Sequence, residues 1–206
     1  MRTGIILSGG KSTRLGADKG LISLEGMSLI NWVIEKLDSV VDEIMVVVGK
    51  PDVMPSYSMI VPTNVRVICD VYPEDSPMIG LISGLQEANG EYAAVCASDM
   101  PFIEPDVLEM LFCSSSGANG TLLLKPNGWV EPFPSIYKVS TCLKYAKSLK
   151  RSGELRIRKV LETMPDTVKV PIDKLRSVDP ELRSFIDIDT IDSLEDAKSI
   201  IKRVNG

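Results

Sequence analysis

An apolar run, Ile5-Ile6-Leu7, gives way to Ser8-Gly9-Gly10 and then to three cations, Lys11, Arg14 and Lys19. Glycines let backbone N–H groups approach anionic oxygens with no Cβ in the way, and the cations offset charge that would repel a nucleophile. The segment therefore suits a phosphate chain. Gly10-Lys11-Ser12 copies the end of a Walker A loop, but that motif needs its first glycine at position 5, where Ile5 stands. The dinucleotide fingerprint G-x-G-x-x-G fails too, because Gly9 and Gly10 are adjacent and the next glycine is Gly16. A strand-to-helix turn with its cations in solvent is the plain alternative.

Four further stretches carry carboxylates. Asp99, in Ala97-Ser98-Asp99-Met100-Pro101-Phe102, follows the apolar run Tyr92 to Cys96. An aspartate at the carboxyl end of a buried strand can hold Mg²⁺ against a nucleotide's phosphates, or simply cap the next turn. Asp70 ends another apolar run, ahead of a loop reaching Pro77 and Gly80. It is either a turn former or an acceptor for base or ribose donors, and guanine, with its N1–H and N2 amine, offers a two-donor edge. Glu131-Pro132-Phe133-Pro134-Ser135-Ile136-Tyr137 has the composition of an edge strand opened by proline. Asp187 and Asp189 stand two apart in Phe185-Ile186-Asp187-Ile188-Asp189-Thr190, which puts both on one face of a strand.

Composition narrows the chemistry. A net charge of −5 and a pI near 4.9 argue against a general nucleic-acid binder working through a basic face. The chain contains no histidine, which excludes His-dependent triads, His general bases and His metal ligands. Cys69, Cys96, Cys113 and Cys142 are widely spaced with no C-x-x-C pair, as expected of thiols in a reducing cytoplasm. Ile5-Ile6-Leu7 is too short for a secretory h-region, and no run approaches a membrane span.

These residues need a scaffold, and the hydrophobic pattern supplies one. Strands are expected at Thr3 to Leu7, Ile44 to Val48, Val65 to Ile68, Tyr92 to Cys96, Thr121 to Leu124, Phe133 to Lys138 and Phe185 to Asp189. Leu29, Ile30, Val33, Ile34 and Leu37 share a helical face. Further helices are expected at Gly80 to Ala88, Pro105 to Phe112, Thr141 to Leu149, Glu154 to Thr163 and Asp192 to Val204, the last opened by an Asp192/Glu195 capping box. Repeated βα units predict a Rossmann-like three-layer α/β/α sandwich with a mostly parallel sheet, as a single domain over residues 1–206, with ligands at the carboxyl ends of the strands.

The glycine loop resembles the signature L-x-G-G-x-S-x-R-x-G-x-x-K of the sugar-phosphate nucleotidyltransferase-like superfamily, read here as Leu7, Gly9, Gly10, Ser12, Arg14, Gly16 and Lys19. With two glycines, and with Asp18-Lys19 followed by Leu21, Leu24 and Gly26, it is most similar to the molybdenum cofactor guanylyltransferases. The later segments fall in that family's order over nearly the whole chain. Ser76-Pro77-Met78-Ile79-Gly80 matches its G-P-L-A-G, and Glu131 to Tyr137 matches an E-P-L-F-A-L-Y on the acceptor side. Three departures stand out: Ser98 precedes Asp99 where the family has cysteine, Asp187 and Asp189 replace two asparagines, and Ile191 replaces a proline.

The resemblance implies GTP binding by Leu7, Ser8, Gly9, Gly10, Lys19, Asp70 and Asp99. It also implies catalysis by Arg14, Lys19 and Asp99, and Mg²⁺ on Asp99 with Asp189 or Asp187. GMP would pass from GTP to the terminal phosphate of molybdopterin or molybdenum-molybdopterin, releasing pyrophosphate. Cofactor-assembly proteins or apo-molybdoenzymes would be partners in the cytoplasm, with no role for nucleic acid or membrane. The alternatives are a guanylyl- or cytidylyltransferase for another phosphorylated metabolite and a non-catalytic nucleotide-binding module.

Overall fold

Continuous apolar runs are stable as strands where helices cover both faces of a sheet, and the longest runs here become its centre. The computed structural model describes residues 1–9 and 18–204. Gly10, Lys11, Ser12, Arg14 and Gly16 lie outside the described residues. In chain order the elements are β1 (Arg2–Ser8), β2 (Ser23–Leu24), β3 (Met27–Ser28), α1 (Leu29–Asp38), β4 (Glu43–Val48), α2 (Met54–Ser58), β5 (Arg66–Cys69) and α3 (Pro77–Glu87). There follow β6 (Tyr92–Ala97), α4 (Pro105–Ser114), β7 (Gly120–Leu124), β8 (Val130–Glu131), β9 (Ser135–Lys138), α5 (Val139–Arg151), α6 (Ile157–Thr163), β10 (Thr167–Pro171) and α7 (Ile191–Val204).

The main sheet has the order β10-β7-β9-β6-β1-β4-β5, with β8 paired to β7. Neighbours among β6, β1, β4 and β5 are parallel, as are β7 and β10, while β9 runs antiparallel between β6 and β7. The carboxyl ends of β5, β4, β1, β6 and β7 therefore share one edge. Alternation within the strands feeds two cores. Ile6, Val46 and Val48 share one with Val33 and Leu37 of α1, Tyr57 of α2 and Leu108 of α4. Ile5, Leu7, Met45 and Val47 share the other with Leu81 and Leu85 of α3, Ala146 of α5 and Val160 of α6. The result is the expected three-layer α/β/α sandwich. Among the described residues, no helix is long and apolar enough to cross a membrane.

The C-terminal segment departs from expectation. Phe185 to Asp189 is not a strand: a 3-10 turn, Arg183–Phe185, leads into irregular chain fastened by Ile188 N–H to Asp99 O at 3.0 Å. The alternation that mimics a strand has another cause, because Ile188 enters a small third core with Leu24, Leu29, Phe102 and Ala197. Asp187 and Asp189 face the cleft instead. Nor do Asp192 and Glu195 cap α7. Ser193 N–H donates to Thr190 Oγ1 at 3.1 Å, and Thr190 N–H donates to Ser193 Oγ at 3.0 Å. Glu195 is drawn to Lys198 at 2.6 Å.

The β7–β8 hairpin turns on Pro126-Asn127-Gly128. Gly128 N–H donates to Lys125 O at 2.8 Å, and Gly128 has φ +78°. Pro supplies the second turn position and Gly the left-handed one. At the other end of β7, Gly120 pairs with Tyr137 of β9, and a Cβ there would lie 2.4 Å from the Ile136 carbonyl oxygen. That oxygen belongs to a paired strand and cannot move aside. Gly120→Ala is expected to destabilise the protein by about 1–3 kcal/mol, the usual range for overpacking. Urea unfolding checks this, and an unchanged midpoint would refute the close packing at this crossing.

Candidate active site

One cavity of about 440 Å³ opens at the carboxyl edge of the sheet. Leu7, Ser8, Gly9, Lys19, Asp70, Asp99, Asp187 and Asp189 all line it, so the described residues given a binding, catalytic or metal role from the sequence converge there. Gly10 and Arg14 are outside the described residues. The wall also takes in Gly49 after β4, Asp75 to Pro77 and Gly80 at the start of α3, and Lys125, Glu131 and Phe133 from the β7–β9 region.

Lys19 is the centre of charge. Its Nζ lies 2.8 Å from Asp99 Oδ2 and also bonds Asp189 Oδ1. Burial works against the charged ammonium, but the bonds to Asp189 and Asp99 outweigh it and raise the Lys19 pKa. Among the described residues, Asp187 has no such partner. Burial first, then the charges of Asp99, Glu131 and Asp189, push its pKa up to about 7 despite nearby Lys19. Among the described residues, no group of three or more Cys, Asp or Glu side chains could hold a metal unaided. Mg²⁺ commonly sits on one or two carboxylates with substrate phosphates completing its shell, and Asp99 with Asp189 fits that donor set.

On the opposite flank, Asp70 N–H donates to Val48 O at 2.9 Å, continuing the β4–β5 pairing to the cavity wall. Burial pushes the Asp70 pKa up to about 6, opposed by a 3.3 Å hydrogen bond from Ser83 Oγ and reinforced by Asp75. Helix α3 begins beside it with Pro77 in its first turn, and Ser76 Oγ accepts from Met78 N–H at 3.2 Å. Gly80 keeps this turn close: a Cβ there would come within 3.2 Å of Leu7 and 3.6 Å of Asp70 Oδ1.

A buried relay fixes the chain beside Lys19. Tyr57, fully buried, donates to Asp18 Oδ1 and meets Ser8 Oγ at 2.5 Å. Burial, then Asp18, drives the Tyr57 pKa upward. Gly20 passes directly beneath, where a Cβ would lie 2.6 Å from the phenol oxygen and 2.7 Å from Ser8 Oγ. The chain on either side of Lys19 is thereby pinned to α2. Sequence reasoning missed Tyr57, because a buried tyrosine on a five-residue helix has no motif. It missed Lys125 as well, although the Asn127-Gly128 turn signal was there to be read.

The chain is similar to known proteins along most of its length. The model of the MobA-like NTP transferase domain matches residues 4–168. A probable molybdenum cofactor guanylyltransferase of Methanosarcina acetivorans is 31% identical, with the alignment covering 100% of this chain and 92% of that protein. Another from Methanosarcina mazei is 30% identical over 94% of this chain and 88% of its own length. The crystal structure of molybdopterin-guanine dinucleotide biosynthesis protein A from Archaeoglobus fulgidus superposes with a TM-score of 0.83 at 28% identity, covering 98% of this chain and 100% of that one. With the strand-end aspartates and the sheet order in place, the chain belongs to the MobA-like NTP transferase family.

Proposed function

We propose that the chain is a single nucleotidyltransferase domain that transfers GMP from GTP to the terminal phosphate of molybdopterin, or of its molybdenum form. Pyrophosphate is released and the guanine dinucleotide cofactor is formed. The supporting observation is that Lys19, Asp99 and Asp189, from three distant segments, meet in the cleft that also holds Asp70. The names of the guanylyltransferase relatives point the same way. Cofactor-assembly proteins or apo-molybdoenzymes in the cytoplasm are the expected recipients of the product.

In this reading Asp70 accepts from the N1–H and N2 amine of guanine, with Leu7, Ser8, Gly9, Gly10 and the start of α3 around the nucleotide. Arg14 and Lys19 stabilise charge on the α-phosphate and the leaving pyrophosphate. The acceptor is a phosphate monoester with a second pKa of about 6, so it is largely dianionic at neutral pH and needs no side-chain base. One of its oxygens attacks the α-phosphorus in line. The new P–O bond forms as the bond to the β-phosphate oxygen breaks, and that electron pair leaves with pyrophosphate. Mg²⁺, held by Asp99 with Asp189 or Asp187, would offset phosphate charge when bound. A cytidylyl donor is the second reading, favoured by aspartates at 187 and 189 where the guanylyltransferases commonly carry asparagine.

Competition among GTP, CTP and ATP with molybdopterin as acceptor, followed by mass analysis of the pterin product, tests the assignment. A guanine dinucleotide product is expected, and a cytosine dinucleotide transfers it to the second reading. Asp99→Asn should lower pyrophosphate release by about a hundredfold or more, the scale on which loss of one electrostatic catalytic group is felt. Thermal unfolding should barely move, and near-wild-type turnover would remove Asp99 from the mechanism.

Selectivity should also depend on pH. With the Asp70 pKa near 6, its carboxylate is ionised above that value and protonated below it. The ratio of GTP to ATP affinity, in which phosphate titration cancels, should hold steady at neutral pH and fall as pH drops through 6. Asp70→Asn should show the low ratio at every pH. A ratio independent of pH in the wild type would separate Asp70 from the base.

A further inference from the structure

The sequence motifs assign no cation to the half of the cleft built from the β7–β9 region. Six carboxylates line the cavity, Asp70, Asp75, Asp99, Glu131, Asp187 and Asp189, against two cations among the described residues, Lys19 and Lys125. Lys19 is engaged by Asp99 and Asp189. Lys125 opens the turn after β7, where its N–H donates to Trp129 O at 2.9 Å and its Nζ lies 2.5 Å from Glu131 Oε2. An ammonium has three N–H donors, and this contact uses one. The Lys125 side chain remains 44% exposed.

Sheet order places these groups relative to the reaction. Asp99 follows β6, with β1, β4 and β5 to one side and β9 and β7 to the other. Gly9, Gly49, Asp70 and the start of α3 belong to the first side, and that is where the nucleotide sits in the proposed reaction. Lys125 follows β7 on the second side, two strand spacings from β6, which is about 10 Å. In-line displacement needs the attacking oxygen opposite the leaving pyrophosphate, and the flank left for the acceptor is the one across β6 from the nucleotide. There a dianionic phosphate meets Glu131 and Asp187, and a positive charge must offset them.

We propose that Lys125 binds the phosphate of the acceptor, and that Glu131 holds the ammonium at the cleft until the incoming phosphate monoester takes it over. This rests on the reading of the protein as a nucleotidyltransferase with a phosphate-monoester acceptor. Lys125 then acts as a substrate-binding residue that aims the attacking oxygen, with no share in binding the nucleotide.

The test is steady-state transfer from GTP to molybdopterin in the wild type and in Lys125→Ala, Lys125→Gln and Lys125→Arg, with GTP affinity measured separately by titration. Lys125→Ala and Lys125→Gln should each raise the acceptor KM about tenfold or more, as loss of a charge-assisted contact does. Their GTP affinity should stay within about twofold of wild type, and Lys125→Arg should keep the acceptor KM within about threefold. An unchanged acceptor KM in the two neutral variants, or a parallel loss of GTP affinity, overturns the assignment of Lys125 alone. Wild-type protein that transfers no nucleotide to molybdopterin overturns the functional reading, and this inference with it.

Discussion

Like charges gathered in a partly dehydrated cleft repel one another, and here carboxylates from β5, β6, β8 and the segment before α7 are brought to one edge of a sheet. The tie formed by Lys19 makes that arrangement tolerable. It joins Asp99 to Asp189, and so holds the short turn at Lys19, the centre of the sheet and the C-terminal segment together. Where the tie does not reach, the strain appears as affinity for protons. Burial and the neighbouring carboxylates push Asp187 up to about 7, and burial with Asp75 pushes Asp70 up to about 6. The same concentration of negative charge that resists folding would draw in the cation of the proposed reaction.

Stability and chemistry are kept in separate places by the geometry of the strands. Within β1, β4 and β6, alternate side chains enter the two cores, and polar groups are held back until the strands end. Ser8, Gly49, Asp70 and Asp99 are all terminal or just past a strand end. Their neighbours are fixed by ladder hydrogen bonds, while Asp70 and Asp99 turn their carboxylates to the cleft. The antiparallel strand β9 widens the edge between β6 and β7, and so gives the cleft a second flank built from the β7–β8 hairpin and Glu131.

Much of this was legible in the chain. Continuous apolar runs identified β1, β4, β5, β6 and β7, and the positions of Asp70 and Asp99 just beyond them identified the floor of the cleft. What escaped was set by tertiary contact. The alternation of Phe185 to Asp189 imitates a strand because Ile188 seeks a small core while its acidic neighbours seek the cleft. Thr190 and Ser193 win the capping position at α7 over Asp192 and Glu195. The short strands β2, β3 and β8 are too brief to show a period, although Glu25-Gly26, with φ of 50° and 88°, and Asn127-Gly128 mark their turns. Tyr57 lies almost forty residues from the aspartate it holds, and no local pattern announces such a pair.

The contact among Ser8, Tyr57 and Asp18 also has a direction. A carboxylate can only accept, so the phenol gives its single proton to Asp18, and Ser8 must then give its own proton to the phenol. The hydroxyl of Ser8, an almost fully buried residue of the cleft wall, is therefore left with lone pairs and no hydrogen to offer. It can receive a hydrogen from a sugar hydroxyl or a base amine, but it has nothing to give a phosphate oxygen. The polarity of one buried tyrosine thus decides which end of a nucleotide this side chain is able to greet.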